Sequence, residues 1–434
     1  MESKIILGGA WGDEGKGLTT DYLASFNRYN KIRMTDNSIV VRFSGGHQAG
    51  HTVVDENDTR HVFSTFGSGT LSGHPTFWSS YCTFLPEAVL KEYKALKDKG
   101  VSPILYVDAF APVTTFYDYM LNQFKEKSKG NNRHGSCGVG FGTTIKRNTK
   151  TPYTFFVHDL LNPEIARRKL QSIEIYYLKE IKNIASENSS ISKALIDDHT
   201  IKLDFKKATE IFLERIKELL PLIEIVNEKE FFKTRRYNRY VFEGSQGILL
   251  DQTYGLVYPH VTMANTTSEN ALNIIRRNGL PEPSIYYITR CYQTRHGNGW
   301  MSNETLPIKL KNNEKETNVL NEYQGNFRTG VLDVDMLNKA ILIDNKFSYG
   351  LKKNICITCL DQVEDENQIP YTINEKIKSG SSDEIIKEIN EKFSKVLKSY
   401  NDKPSQIVDL DMIRQKSEKQ IGYLKETKKV YDNL

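Results

Sequence analysis

The chain has 434 residues, of which 38% are hydrophobic and 11% aromatic, enough for a substantial core, so global disorder is excluded. Its 59 Lys and Arg against 54 Asp and Glu leave a charge of +5, too balanced to indicate a nucleic-acid-binding protein, which needs a clustered basic face. No apolar run approaches the roughly 20 residues of a membrane span. The five cysteines are few and scattered, so we expect a cytoplasmic protein without a disulfide scaffold.

Short apolar runs next to glycine predict buried strands at residues 4–9, 39–43, 240–244, 285–289 and 355–360. Between them, Asn162 and Pro163 predict the start of a helix ending near Ile184, and residues 205–220 have helical spacing. A capping box at 381–384 predicts another helix, whose apolar face continues to residue 400. The polar stretches 125–132 and 309–316 predict surface insertions. We therefore expect an α/β fold with a large, mixed, mainly parallel central sheet flanked by helices, in one domain over residues 1–434.

The strongest motif is the segment 8–17, GGAWGDEGKG, which follows a predicted strand and precedes a helical pattern. Glycines there let backbone N–H groups face a phosphate, and the helix N-terminus adds favourable partial charge. Lys16 supplies a positive charge to bound phosphates. Gly17 stands where a Walker loop has the Ser or Thr that binds Mg²⁺, so Asp13 is the expected metal ligand. The alternative is a glycine turn without a ligand.

A second glycine-rich loop, GGHQAGHTVV at 45–54, follows another predicted strand. His47 and His51 are four residues apart, as zinc ligands on a helix would be, but the glycines disfavour a helix and no Cys or carboxylate lies nearby at metal-site spacing. We interpret the segment as a second phosphate-facing loop with one histidine as general acid or electrostatic donor. A non-catalytic loop histidine is the alternative.

These two motifs together resemble the adenylosuccinate synthetase family. Weaker collinear matches follow at 242–251, 258–262, 265–267, 294–299, 328–333 and 358–361, so that the resemblance covers about residues 4–365. It implies a P-loop-like GTP-binding ligase fold and a homodimer in which part of each site crosses the interface. Members of the family transfer the γ-phosphate of GTP to the 6-oxygen of IMP, and the amine of aspartate then displaces that phosphate.

The resemblance also implies roles for individual residues. Asp13 would be the general base, His51 would stabilise the transferred phosphoryl group, and Lys16 would bind the donor phosphates; Asp13 and the Gly50 carbonyl would hold Mg²⁺. The residues implied for the donor nucleotide GTP are Gly12, Glu14, Gly15, Lys16, Gly17, Gly50, His51, Thr52 and Asp361. Those implied for the other substrates are Asp13, Gln48, Ser136, Cys137, Gln246, Thr262, Arg295 and Arg328.

The sequence departs from the family pattern at several of these places. Gln48 replaces an asparagine, and Cys137 replaces a threonine of the phosphate loop. The aspartate-binding loop at 321–328 lacks most of its arginines, and Cys359 stands where a lysine packs on guanine. The guanine-site element expected near Gly422 is not recognisable. Arg147 is a candidate for the arginine that one subunit supplies to the other, and Arg235, Arg236, Arg239 or Arg295 could compensate for the missing arginines, although solvated surface charge better explains the first three.

Three functions remain open. The first is adenylosuccinate synthesis from IMP, GTP and aspartate. The second is the same phosphoryl transfer with another purine nucleotide such as dGMP, another amine, or ATP as donor. In dGMP-using viral members a smaller residue commonly replaces the aspartate of the first motif, so Asp13 argues against that substrate. The third is a non-catalytic nucleotide sensor, against which Asp13 and His51 together count. Cys356 and Cys359 could form a redox or zinc pair, but strand packing is the favoured interpretation.

Overall fold

The computed structural model describes residues 1–130, 136–188, 191–200, 204–311, 316 and 326–414. Its strands in chain order are β1 Glu2–Gly8, β2 Ser38–Arg42, β3 His51–Val54, β4 Arg60–Phe63, β5 Thr76–Trp78, β6 Leu105–Asp108, β7 Glu224–Val226, β8 Arg239–Gly247, β9 Pro283–Arg290, β10 Gln293–His296, β11 Phe327–Gly330, β12 Leu332–Asp333, β13 Lys353–Thr358, β14 Ile369–Ile373, β15 Lys376–Gly380, β16 Lys395–Lys398 and β17 Val408–Asp409. Its helices are α1 Lys16–Ala24, α2 Phe26–Tyr29, α3 Pro86–Asp98, α4 Phe116–Ser128, α5 Phe141–Lys150, α6 Pro163–Glu187, α7 Lys193–Thr200, α8 Phe205–Leu219, α9 Glu228–Thr234, α10 Glu269–Asn278, α11 Val334–Ser348 and α12 Ser382–Lys387.

Ten strands form one central sheet in the order β17-β16-β13-β9-β1-β8-β2-β5-β6-β7. Every neighbouring pair is parallel except β16 and β17. Strand β1 is central, and its residues Lys4, Ile5, Ile6 and Leu7 are buried, as expected where helices cover both faces of a parallel sheet. This confirms the predicted fold class.

The order β9-β1-β8 places the first strand between two strands from much later in the chain. The loops that leave the carboxyl ends of β1, β2, β8, β9 and β13 therefore meet at one edge of the sheet. Ligands of open α/β sheets bind in the crevice beyond these strand ends, where the strand order reverses. The two glycine-rich motifs occupy two of these five loops.

A shift of register at this edge shapes the site. Ile6 pairs with Glu243, but Gly8 pairs with Gly247, so two residues of β1 oppose four of β8. Bulges of this kind bend the strand and redirect its side chains. Gly247 lies directly against the first glycine loop: a Cβ atom built there would be 2.1 Å from the Ala10 carbonyl oxygen and 2.4 Å from the Gly12 nitrogen.

The predicted helices are confirmed in two cases and wrong in a third. Asn162 caps α6 by accepting from the backbone N–H groups of Glu164 and Ile165, and α8 spans nearly the predicted range. The capping box at Ser381 and Glu384 is also present, but α12 ends at Lys387 and residues 395–398 form strand β16. Pairing of β16 with β13 extends the sheet, and this long-range hydrogen bonding outweighs the local helical period.

The predicted insertion at 125–132 is also wrong in its first half, because residues 125–128 form the last turn of α4. Residues 131–132 and 312–315 of the two predicted insertions lie outside the described residues. Among the helices that are described, none combines the length and apolar character needed to cross a membrane.

His74 provides a test of the packing behind α1. Its Nε2 lies 3.0 Å from Ser25 Oγ, and burial lowers the pKa of this histidine from 6.5 to about 4. Between pH 6.5 and about pH 4 the unfolded chain binds a proton at His74 that the folded chain does not. The contribution of His74 to the free energy of unfolding therefore decreases as the pH falls through this range. We expect the difference in unfolding free energy between wild type and His74→Gln to fall by about 2 kcal/mol from pH 7 to pH 5. Urea denaturation at each pH measures it, and a pH-independent difference would contradict the assignment.

Candidate active site

The loop between β1 and α1 has the backbone of a phosphate-binding loop. Gly12 and Gly15 have φ of +104° and +95°, and Asp13 between them has φ of +59°, a left-handed conformation that costs a non-glycine residue about 1–2 kcal/mol. Gly15 is the N-cap of α1, so the first helical N–H groups open toward this loop. The conformation is the one that the spacing of the glycines predicts.

The carbonyl oxygens of this loop are held by groups from neighbouring elements. The Leu249 N–H donates to Ala10 O at 3.0 Å, and Thr294 Oγ1 donates to Gly12 O at 2.8 Å. The Arg290 guanidinium donates to Asp13 O at 2.5 Å, and Thr358 Oγ1 donates to Glu14 O at 2.8 Å. Because these carbonyls are held by neighbouring elements, the loop keeps a fixed conformation. The N–H groups of Gly9 and Ala10 are bonded to Ile288 O and Glu14, so a phosphate would be met by the N–H groups at the start of α1.

Lys16 and Glu14 form a buried pair beside this loop. Lys16 Nζ lies 3.8 Å from Glu14 Oε2, and Glu14 Oε1 accepts from the Ala10 N–H at 2.6 Å. Burial raises the pKa of Glu14, although the charge of Lys16 opposes the shift. The pair places one ammonium group at the start of α1, where bound phosphates would need it.

His51, the first residue of β3, is fixed by a contact to β8. Its Nδ1 lies 2.6 Å from Glu243 Oε1, and its buried Nε2 has no hydrogen-bond partner in the part of the chain that the structure describes. Burial lowers the pKa of His51, partly offset by the carboxylate of Glu243. Burial would raise the pKa of Glu243, but His51 and Arg42 outweigh it and the pKa is lowered. The lowered pKa of Glu243 favours its carboxylate form, and Arg42 supplies a positive charge beside it.

A cavity of about 490 Å³ lies at this edge of the sheet and contains most of the predicted site residues. Those that line it are Gly12, Asp13, Glu14, Gly15, Lys16, Gly17, Gln48, Gly50, His51, Thr52, Cys137, Gln246 and Asp361. Six lining residues have buried polar atoms without a hydrogen-bond partner among the described residues, namely Trp11 Nε1, Glu14 Oε2, His47 Nδ1, both amide atoms of Gln48, His51 Nε2 and Gln246 Oε1. Buried polar atoms ordinarily have partners, so this cavity suits a ligand rich in hydrogen-bonding groups.

Four predicted substrate residues do not line the cavity. Ser136 accepts from Asn122, and the backbone N–H of Thr262 donates to Leu250 O. Arg295 donates to the carbonyls of Trp300, His260 and Asn298, and Arg328 donates to Glu304 and the carbonyls of Gly297 and Gly299. In this structure both arginines hold the loop around 297–300, and their contact with a substrate stays a prediction.

The arginine predicted to reach a partner subunit is placed elsewhere. Arg147 is fully buried, pairs with Asp118 and donates to the carbonyls of Val113 and Tyr153. A side chain enclosed in this way is not available to a second subunit, so this interpretation of Arg147 is wrong.

The arginines considered as compensation are also used elsewhere. Arg235 pairs with Glu224, and Arg239 pairs with Glu2 and Asp36. Arg236 is not among the residues that line the cavity. Residues 321–325 of the predicted aspartate loop, together with Gly422, lie outside the described residues.

Sequence reasoning assigned no role to two charged residues at the cavity, Arg290 and Glu316. Arg290 lines it, and besides holding the Asp13 carbonyl it pairs with Glu316 at 2.9 Å. Cys359, expected to pack in a strand, has φ of +61° and lies on the cavity wall just after β13. Arg290 directly follows the predicted strand 285–289, so its place at the strand end could have indicated a site residue. Glu316 lies in the polar stretch 309–316, and nothing in that stretch indicates a site residue.

A magnesium ion fits the oxygens available here, provided that the substrate completes its shell. The described residues contain no cluster of three His, Cys, Asp or Glu that could hold a metal alone. Asp13 and Gly50, however, both line the cavity, and their carboxylate and carbonyl oxygens are the hard ligands that Mg²⁺ prefers. An ion shared with substrate phosphates is the arrangement that such a donor set supports.

Comparison with known proteins identifies relatives over most of the chain. A model of the adenylosuccinate synthetase family matches residues 5–431. The adenylosuccinate synthetase of Clostridium beijerinckii is 30% identical over 375 residues, covering 84% of this chain and 80% of that protein. The enzyme of Vibrio parahaemolyticus is 26% identical over 419 residues, covering 92% and 86%. The matches to adenylosuccinate synthetases from two Clostridium botulinum strains span just under two thirds of those proteins, 65% and 66%.

Solved structures share the fold. A fully ligated adenylosuccinate synthetase from Plasmodium falciparum superimposes with a TM-score of 0.67 at 19% identity, over 93% of this chain and 99% of that one. A cyanophage S-2L succinoaminodeoxyadenylate synthetase bound to dGMP and dATP gives a TM-score of 0.56 at 16% identity, over 94% and 95%.

The contact between Gly247 and the glycine loop generates a prediction. In Gly247→Ala the new methyl group meets backbone atoms that cannot turn aside. Overpacking costs about 1–3 kcal/mol, which corresponds to roughly tenfold or more in affinity if the loop moves. We expect titration calorimetry to show that loss in GDP binding. Gly279→Ala is the control, because Gly279 has φ of +60° but open space around it, and it should lose stability without losing GDP affinity. Equal GDP affinity in both variants would contradict the prediction.

Proposed function

The chain belongs to the adenylosuccinate synthetase family, and from this premise we propose that it is a purine-nucleotide ligase that makes adenylosuccinate from IMP, GTP and aspartate. The observation that carries the proposal is the single cavity in which the Lys16 loop faces the unpartnered Nε2 of His51. A phosphate-binding loop opposite a fixed imidazole is the arrangement that phosphoryl transfer needs.

The reaction has two steps. The 6-oxygen of IMP attacks the γ-phosphorus of GTP, GDP leaves, and the proton on N1 of the purine passes to a base. The amine of aspartate then attacks C6, the C6–O bond breaks, and phosphate leaves with the 6-oxygen. Asp13 is the proposed base, because its carboxylate lines the cavity while its backbone is fixed by Arg290.

The donor phosphates are proposed to bind at the start of α1. Lys16 and the loop N–H groups supply the positive charge and the hydrogen bonds. Asp13 and the Gly50 carbonyl would hold Mg²⁺, which when bound neutralises charge on the phosphate oxygens. Asp361 lies farther along the same cavity and would accept two hydrogen bonds from a guanine base.

His51 acts on the phosphoryl group through Nε2. Burial lowers the pKa of this imidazole in the free protein. Phosphates that enter the cavity bring negative charge, which favours the protonated ring. Nε2–H then donates a hydrogen bond to an oxygen of the transferred phosphoryl group, while Nδ1–H continues to donate to Glu243.

The acceptor end of the cavity carries the departures from the family pattern. Gln48 and Gln246 offer amide groups to the acceptor nucleotide. Burial raises the pKa of Cys137 to about 12, so it presents a neutral thiol, a weak donor, where the family has a hydroxyl. In the amine-donor loop, Asn326 and Phe327 precede Arg328 where the resemblance implies further arginines. For these reasons another purine nucleotide or another amine is kept as the second candidate.

We also propose a cytoplasmic homodimer. Among the described residues, the lining of the cavity contains only two arginines, Arg60 and Arg290, and both pair with carboxylates. An acceptor phosphate would gain an arginine only from outside these residues, and a second subunit is the source that the family resemblance implies. Light scattering of the purified protein should give twice the chain mass; a monomer that is fully active at every concentration would contradict this.

The activity itself is tested by mixing the protein with Mg²⁺, GTP, IMP and aspartate and identifying products by mass spectrometry. We expect adenylosuccinate, GDP and phosphate from wild type. Asp13→Asn keeps the size and left-handed backbone of the residue but removes the base, and should lower the rate at least about 100-fold. Asp58→Asn is the matched control, because Asp58 has a similar φ of +62° but lies on the surface, and it should keep the wild-type rate.

Parallel reactions with dGMP in place of IMP, and with ATP in place of GTP, separate the candidates. GDP without adenylosuccinate would support phosphoryl transfer and point to a different amine or acceptor. Nucleotide binding without turnover of any substrate would overturn the ligase proposal and favour a sensor.

A further inference from the structure

Glu243 lies at the centre of a set of contacts that ends at the cavity. It stands on β8 in register with Ile6 of β1 and Arg42 of β2, and its side chain has no exposed surface. Its Oε1 contacts His51 Nδ1 at 2.6 Å and accepts from Ser68 Oγ, and its Oε2 accepts from the Ser68 N–H at 3.1 Å. Both carboxylate oxygens are thus occupied by donors.

The charge of this carboxylate is balanced by Arg42 on the neighbouring strand. Arg42 is fully buried, stacks over Trp78 and donates to Ser245, while its Nε and Nη1 have no hydrogen-bond partner among the described residues. The charged groups near His51 are therefore Glu243, Arg42 and Lys16. A carboxylate can only accept, so the 2.6 Å contact places a proton on Nδ1, and Nε2, which has no partner among the described residues, is the nitrogen left for a ligand of the cavity that His51 lines.

Helix α1 packs against His51 and Ser68, the two residues that contact Glu243. A Cβ built on Gly17 would lie 2.9 Å from His51 Cβ and 3.1 Å from Ser68 Oγ. The second residue of the phosphate-binding helix thus packs directly on both partners of Glu243. Helix α1 thus fixes the position of the His51 Cβ, and the hydrogen bond to Glu243 opposes rotation of the ring.

We propose that Glu243 is a positioning residue for phosphoryl transfer, which fixes the orientation and the tautomer of His51 so that Nε2 meets the transferred group. The inference rests on the proposed function. It assigns Glu243 no contact with substrate: its effect passes through the imidazole alone. A residue that only stabilised the fold would not control which nitrogen of His51 carries the proton.

The direct test is nitrogen NMR of the full-length protein labelled in histidine. The His51 signals are assigned by their absence from His51→Asn. Wild type should show a proton on Nδ1, the nitrogen that contacts Glu243. In Glu243→Gln one of the two carboxyl positions becomes a donor, so the carboxamide cannot accept from His51 Nδ1 and from the Ser68 N–H at the same time. We expect the Nε2–H tautomer or a mixture there. A wild-type ring that carries a proton on Nε2 and none on Nδ1 overturns the proposal, whether or not the variant folds.

The kinetic test separates positioning from folding. Glu243→Gln should lower kcat at least about 100-fold while KM for GTP and IMP stays within about threefold, because the ring acts on the transition state. The matched control is Glu92→Gln. Glu92 is also buried, accepts from the backbone of Ser64 and Thr65, and lies 3.5 Å from His61 Nε2. It should keep the wild-type kcat.

The outcomes separate this inference from the proposed function. Wild-type synthesis of adenylosuccinate with an unchanged kcat in Glu243→Gln would overturn the positioning role and leave the ligase in place. Absence of product from wild type would overturn the ligase, and the tautomer of His51 would then decide the positioning of the ring. A kcat loss of equal size in Glu92→Gln would indicate a general structural effect and count against Glu243.

Discussion

The active cavity depends on the close contact between the first glycine loop and the end of strand β8. Gly247 leaves no room for a side chain between itself and the backbone of Ala10 and Gly12. The loop is then held by four hydrogen bonds to its carbonyls, from Leu249, Thr294, Arg290 and Thr358. Arg290 and Thr358 are the last residues of β9 and β13, Leu249 follows β8, and Thr294 lies on β10. Three strands of the central sheet and β10 of a smaller sheet therefore fix the loop conformation together.

This constraint explains why some features were predictable from the sequence and others were not. The glycine loop and the five strands are local patterns, and they were found close to their observed bounds. The partner of His51 was not found, because the residues are 192 positions apart and no spacing rule links them. The helix expected to reach residue 400 failed for a related reason: Val396 and Leu397 fit a helical face, but pairing with β13 decided their structure.

The predicted arginines show the same limit. The sequence around an arginine does not show which carboxylate it will pair with. Arg147 pairs with the buried carboxylate of Asp118 and is therefore not available to a second subunit. Arg290 had no assigned role, yet it joins the strained Asp13 to Glu316 and to the wall that contains Cys359. The wall of the cavity near Cys359 and Asp361 therefore does have a cation, Arg290. It comes from β9 and not from the position where the resemblance implies a lysine.

The absence of a hydroxyl residue after Lys16 follows from the same packing. In a Walker loop the next residue is Ser or Thr, whose oxygen binds the metal. Here that position is Gly17, and any Cβ would press on His51 and Ser68. The space in which a Walker loop has a metal-binding hydroxyl is here occupied by His51 Cβ and Ser68 Oγ. Helix α1 therefore offers no hydroxyl ligand at position 17, which is why the proposed metal site uses Asp13, in the left-handed turn between Gly12 and Gly15, and the Gly50 carbonyl.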